Sequence, residues 1–288
     1  AKVCTTMFKL LLVILLVPLA SASFDDSLAR NFMFPLSSAA YSNHPQKCLT
    51  SQLNGTQVSK QVTLNCDYFK YDMCSGYTFF DESRKVIGIS FRGTGDTIQL
   101  IIEIQNVLFE DKVDFQDGGK TSKYFNDAFM DVWNGGLADD FDALRKKYPD
   151  FTVWVTGHSL GGALASLAAA HIAANGLVEK EKLILYTFGQ PRTGDQQYAD
   201  IHDNLVTSFR VTHAQDMVAH VPPLFMKYEH HTSEVWYNND MSPGAPFIVC
   251  SQQEDKQCSD QNPFNGSSDD HDSYFGINVS VWGLAGCP

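Results

Sequence analysis

Phe151-Thr152-Val153-Trp154-Val155-Thr156-Gly157-His158-Ser159-Leu160-Gly161-Gly162-Ala163-Leu164 is the stretch from which the rest of the chain is read. Residues 151–156 are β-branched and aromatic, which predicts a short strand. Leu160–Ala174 predicts a helix closed by Asn175-Gly176. Between them stands Gly157-His158-Ser159-Leu160-Gly161, a G-x-S-x-G pentapeptide. A serine carried on so tight a turn leaves no room for side chains two positions away on either side, hence glycine at both. A blander reading makes the turn a glycine-rich connection in which Ser159 caps the helix. Placement between a strand and a helix favours a nucleophile.

Working outward, residues 77–80 and Val86–Phe91 predict a hairpin around the polar residues 81–85. Residues 122–147 predict a helix that ends before Pro149 with Arg145, Lys146 and Lys147 in its last turn. Leu183–Phe188 and residues 208–212 predict further strands, and Glu234–Tyr237 is strand-like. Strands alternating with helices indicate an α/β sheet. Residues 241–278 are rich in Pro, Gly, Asn, Ser and Asp, which predicts loops. No repeat, heptad run or low-complexity linker divides the chain, so residues 23–288 predict a single domain.

Residues 1–22 differ from the rest. Lys2 and Lys9 precede an apolar run at 10–17, and Pro18 leads to Ala20-Ser21-Ala22, the pattern of a secretory signal with an A-x-A cleavage site. A transmembrane anchor is the competing reading, but the run falls short of the roughly 18 to 20 residues a span needs. The chain opens on Ala1 instead of Met, so its N-terminus is expected to be incomplete. Lys and Arg sum to 21 against 33 acidic residues, a net charge of −12. That balance excludes a partner held through a phosphate backbone, and any lipid contact has to be apolar.

Of seven cysteines, Cys4 lies in the leader; Cys48, Cys66, Cys74, Cys250, Cys258 and Cys287 remain, an even set that implies disulfides in an exported chain. Zinc ligation is the alternative, but no C-x-x-C pair or H-E-x-x-H run occurs, and no metal is expected. The triplets beginning at Asn54, Asn265 and Asn278 predict N-glycosylation on a secretory route.

A serine hydroxyl needs an imidazole to take its proton and a carboxylate to hold that imidazole in the right tautomer. On this architecture the chain order is Ser, then Asp or Glu, then His. Asp216 follows the strand at 208–212, while Asp195 and Asp203 precede it. His220, His230, His231 and His271 all follow Asp216. His220 is too near in sequence, and His230 with His231 precedes the strand-like Glu234–Tyr237, so spacing favours His271 without closing the choice.

These residues carry a resemblance to the fungal-type triacylglycerol lipases, also called class 3 lipases, in a secreted animal form. It rests on Phe91-Arg92-Gly93-Thr94, on the elbow from Thr156 to Leu164, and on Phe188-Gly189-Gln190-Pro191-Arg192. Asp216-Met217-Val218 with Val221-Pro222-Pro223, Glu234-Val235-Trp236-Tyr237 and His271-Asp272-Ser273-Tyr274-Phe275 complete it in the same order. The resemblance implies an α/β-hydrolase fold, a central mostly parallel sheet flanked by helices and bearing a helical lid. It implies Ser159 as nucleophile, Asp216 as orienting acid and His271 as base. Leu160 supplies one oxyanion-hole amide by position, and the resemblance implies Thr94 as the second. Together with proximity it implies the pairs Cys66–Cys74, Cys250–Cys258 and Cys48–Cys287. One departure is Tyr124-Phe125-Asn126-Asp127-Ala128-Phe129, where the family commonly has a His-x-Gly-Phe segment. That puts substrate preference in doubt and leaves the triad untouched.

Residues 98–110 carry Gln99, Glu103, Asn106 and Glu110 as one narrow polar stripe. Ile98, Leu100, Ile101, Ile102, Ile104, Val107, Leu108 and Phe109 cover nearly everything else. An ordinary core helix has this pattern too, but beside Thr94 the resemblance implies a mobile lid and turnover that rises at an oil surface. The expected protein is therefore a secreted serine carboxylic-ester hydrolase acting on acylglycerols at lipid–water interfaces, without a cofactor. Phospholipase A1 or another esterase is the neighbouring alternative, and a catalytically silent secreted binding protein is the alternative of another class.

Overall fold

The computed structural model describes residues 23–66, 73–95, 112–116, 118–261 and 266–288. Its centre is an eight-stranded sheet whose strands lie in chain order: β1 (Gln57–Asn65), β2 (Met73–Asp81), β3 (Val86–Phe91), β4 (Thr152–His158), β5 (Leu183–Phe188), β6 (Thr207–His213), β7 (Glu234–Tyr237) and β8 (Ile248–Cys250). The pairs from β3 to β7 are all parallel, while β1–β2, β2–β3 and β7–β8 are antiparallel.

Side chains two apart on a strand share a face, and the sheet separates two apolar layers on that rule. Ile87, Ile89, Phe91, Val153, Val155, Leu183 and Leu185 point to one layer. It is filled by α3 (Lys123–Val132), α4 (Ala138–Lys147) and α5 (Leu160–Ala174). Tyr77, Phe79, Tyr186, Phe188, Phe209 and Val211 point to the other. There they meet α1 (Phe34–Ala39), α2 (Pro45–Gln52) and the C-terminal α8 (Val279–Leu284). A mostly parallel sheet covered on both faces is the α/β-hydrolase architecture. Helix α5 is apolar almost all round because it is buried almost all round: every residue from Leu160 to Ala170 is covered.

The structure differs from the sequence expectation in two places. The predicted helix at 122–147 is interrupted between α3 and α4, where Trp133–Leu137 forms a wide turn and Gly136 takes φ +126°, outside any helical conformation. The adjacent Gly135 and Gly136 permit that break, and Trp133 and Leu137 on either side stay buried. Residues 241–278 are not all loop. They supply edge strand β8, stapled by Cys250–Cys258, and α7 (Ser268–Asp272), capped by Ser267 Oγ accepting from the Asp270 amide at 3.0 Å.

Two further disulfides join Cys66 to Cys74 and Cys48 to Cys287, so all three pairs named from the sequence are formed. Cys48–Cys287 ties α2 to the end of α8 across 239 positions. Residues 1–22, read as a secretory leader, lie outside the described residues. Among the described residues, no helix is long and apolar enough to cross a membrane.

Candidate active site

The elbow sits where β4 ends. Ser159 takes φ 62° and ψ −131°, a region that costs a non-glycine residue on the order of 1–3 kcal/mol. The flanking glycines meet the steric demand read from the sequence. A Cβ on Gly157 would lie 2.1 Å from the Gly161 carbonyl oxygen, and one on Gly161 would lie 2.3 Å from that of Phe91. The Ser159 amide donates to the Phe188 carbonyl at 2.9 Å, which locks the turn to β5.

Asp216 and His271 are brought together by two loops that zip past the end of β6. Ser267 N donates to Gln215 O at 2.7 Å, and Gln215 N donates to Asp270 Oδ2 at 3.0 Å. The result places His271 Nδ1 2.9 Å from both Asp216 carboxylate oxygens, with both side chains fully buried. Asp216 also accepts from the Tyr274 hydroxyl at 2.6 Å and the Val218 amide at 2.8 Å. Burial alone would raise the Asp216 carboxyl; the facing His271 and these hydrogen bonds outweigh it and hold the group at about 2. Gly189 makes the approach possible, since a Cβ there would lie 2.5 Å from Asp216 Oδ2 and 2.8 Å from His271 Nδ1.

Two atoms of this constellation have no partner among the described residues. Ser159 Oγ and His271 Nε2 are both buried and neither makes a hydrogen bond. Those are the two atoms that acyl transfer requires to be available. Around them, Leu160 opens α5 and is buried. The loop carrying Thr94 presses on the elbow: a Cβ on the preceding Gly93 would come 2.6 Å from the His158 carbonyl and 3.0 Å from Ser159 Cβ. Thr94 itself is half-buried. The lid residues Ile98, Leu100, Ile101, Ile102, Ile104, Val107 and Leu108 lie outside the described residues.

The rival candidates are occupied elsewhere. Asp195 caps α6 (Gln196–Leu205), its Oδ1 accepting from the Tyr198 amide at 2.9 Å. Asp203 accepts from the Thr232 amide and hydroxyl at 2.7 and 2.9 Å. His230 Nε2 lies 2.8 Å from the Ala219 carbonyl, and His220 Nδ1 lies 3.1 Å from Asp260. His231 stacks on His202 at 3.7 Å between centroids, and its nitrogens contact Ser208, Thr232 and Gln190. His202, Asp203 and His231 do set ligand atoms within 4.8 Å of one another. Two rings stacked at 16° point their lone pairs along parallel planes, however, and do not converge on one ion.

The class 3 lipase family model matches residues 88–226. A lipase of Caenorhabditis elegans is 33% identical over 92% of this chain and 83% of its own length. The chain belongs to the class 3 lipases. It is therefore a carboxylic-ester hydrolase. A Rhizomucor miehei lipase is 37% identical over 69% of this chain, and the match spans about half of that protein (54%). A solved triacylglycerol lipase, described as having a serine-protease triad at its catalytic centre, is similar with a TM-score of 0.73 at 28% identity. That similarity covers 86% of this lipase and 94% of the solved chain.

Three features of the site were not assigned from the sequence. Tyr274 was visible only as a neighbour of His271, and Gly189 only as part of a motif. His158 occupies the variable position of the pentapeptide, and its partner Tyr41 lies 117 positions away, with no local signal connecting them.

Proposed function

We propose that this lipase hydrolyses water-insoluble fatty-acyl esters, with acylglycerols as the principal substrates, through a covalent acyl-enzyme on Ser159, and that it does so outside the cell. The observation that carries the reading is the unpartnered pair Ser159 Oγ and His271 Nε2, with His271 Nδ1 held on Asp216. Ser159 Oγ attacks the ester carbonyl as its proton passes to His271 Nε2. The tetrahedral oxyanion is held by the amides of Leu160 and Thr94. Collapse expels the alcohol, which takes the proton from His271, and water then releases the fatty acid by the same steps. Asp216 holds the Nδ1 proton of His271, leaving the Nε2 lone pair to receive the serine proton, and balances the imidazolium. Export is supported by the signal-like residues 1–22 and by three disulfides.

The test pairs wild type with Ser159→Ala on emulsified triacylglycerol, phosphatidylcholine vesicles and a soluble short-chain ester. Wild type releases fatty acid fastest from the emulsion and reacts with a fluorophosphonate. Ser159→Ala keeps its melting temperature, takes no label and loses turnover by at least about 1000-fold. Faster release from the vesicles would reassign the enzyme as a phospholipase, and normal turnover in Ser159→Ala would end the acyl-enzyme reading. Expression in secreting cells should yield a medium protein beginning at Ser23, with glycans at Asn54, Asn265 and Asn278.

A further inference from the structure

His158 is buried, and both its ring nitrogens are engaged. Nε2 lies 2.9 Å from the main-chain carbonyl of His271, and Nδ1 lies 2.7 Å from the Tyr41 hydroxyl. A carbonyl oxygen only accepts, so Nε2 carries the proton. Nδ1 is left with a lone pair, and the Tyr41 hydroxyl donates to it. The His158 ring also lies against the His271 ring, with centroids 4.6 Å apart and planes 28° from parallel. Tyr274 meets the same ring edge-on at 5.7 Å. Tyr41, just beyond α1, is itself buried.

We propose that Tyr41 and His158 act as a positioning relay for the catalytic base. The His271 carbonyl fixes the His158 tautomer, Tyr41 holds the ring by donating to its Nδ1, and the ring backs the His271 imidazole. This arrangement rests on the reading of His271 as base. It keeps Nδ1 on Asp216 and denies the imidazole the rotation that would turn Nε2 away from Ser159. The relay as drawn needs a neutral His158, because protonating Nδ1 removes the lone pair to which Tyr41 donates and reverses that hydrogen bond. Burial, followed by the neighbouring His271, pushes His158 down to about 3, so it stays neutral around neutral pH. Tyr41 remains a donor because burial raises its hydroxyl far above the usual range. Neither residue touches the ester; both act through His271.

The experiment uses the full chain and a soluble short-chain ester, with Ser159→Ala as control. Tyr41→Phe and His158→Phe should each lower kcat about tenfold, the scale of one hydrogen bond, with KM unchanged. The double variant should lose no more than the worse single one, because both break one relay. Nitrogen NMR of the histidines should show wild-type His158 protonated at Nε2 alone between about pH 5 and 8, and the same tautomer with a shifted Nδ1 resonance in Tyr41→Phe, where that nitrogen has lost its donor. Unchanged kcat in both variants, additive losses, or a wild-type Nδ1 proton on His158 would overturn the relay. If His158→Phe fails to fold, Tyr41→Phe and the NMR signals decide the matter. Turnover surviving in Ser159→Ala would instead fail the acyl-enzyme reading and leave the tautomer result standing.

Discussion

A buried carboxylate is tolerated only when other groups replace its water, and Asp216 has four contacts from three groups to do so: two from His271, one from Tyr274 and one from Val218. Asp216→Asn keeps the shape but places an amide where the carboxylate oriented His271 Nδ1–H, favouring the wrong tautomer. Activity should fall on the order of 10⁴-fold, read as kcat on a soluble ester. The same substitution changes the acid response of the fold. The native group sits at about 2 against an ordinary 3.8, so the unfolded chain takes up its proton first as pH falls. The stabilisation is complete above about pH 4 and disappears as pH drops through about 2. Urea midpoints measured at about pH 5 and 2.5 should therefore lie closer together in Asp216→Asn than in wild type. Part of the slope remains, since Asp81 and Asp260 are also held at about 2.

Elements past the carboxyl ends of the strands are tied by Arg192, which follows β5 and is almost wholly buried. Its guanidinium donates to Glu254 at 2.9 and 2.8 Å, to Asp260 at 3.3 Å, and to the carbonyls of His220 and Pro222 at 2.7 and 3.1 Å. It thus joins the loop that starts at Asp216 to the segment stapled by Cys250–Cys258. Arg192→Leu takes the buried cation away from two carboxylates and a donor from two carbonyls and should cost about 3–5 kcal/mol, measured by urea unfolding. Esterase activity should fall with it, because the Asp216 loop loses its anchor. At this scale the strands with strong local patterns, such as Val86–Phe91 and Leu183–Phe188, were legible in sequence. Strand β1 was not, because it lies at the sheet edge and most of its side chains are at least partly exposed, leaving only a weak apolar alternation.

Across the whole molecule, Cys48–Cys287 closes nearly the entire described chain into one loop, with 239 positions between its ends. Chain-entropy reasoning puts the stabilisation from such a loop at up to about 5 kcal/mol, a ceiling that measured values often fall below. Replacing both cysteines by serine should lower the melting temperature markedly while leaving kcat near wild type. The bridge holds α2 and α8 on the face opposite α5, and the elbow itself is built by β4, β5 and α5. Unequal loss, with kcat collapsing before stability, would mean that the terminal layer also shapes the site.

Some of this protein was written locally. The glycines of the elbow, the strand before it and the buried helix after it follow from steric demands that act over a few residues; chain order favoured Asp216 and His271 as partners of Ser159, and the family resemblance closed that choice. What the tertiary structure alone decided is convergence. Asp216 meets His271 because parallel strands end in register and their loops zip together, and Tyr41 reaches His158 because α1 packs beneath β4. Such contacts join positions tens to hundreds of residues apart, and they arise from sheet register and layer packing, which no local pattern of residue types specifies.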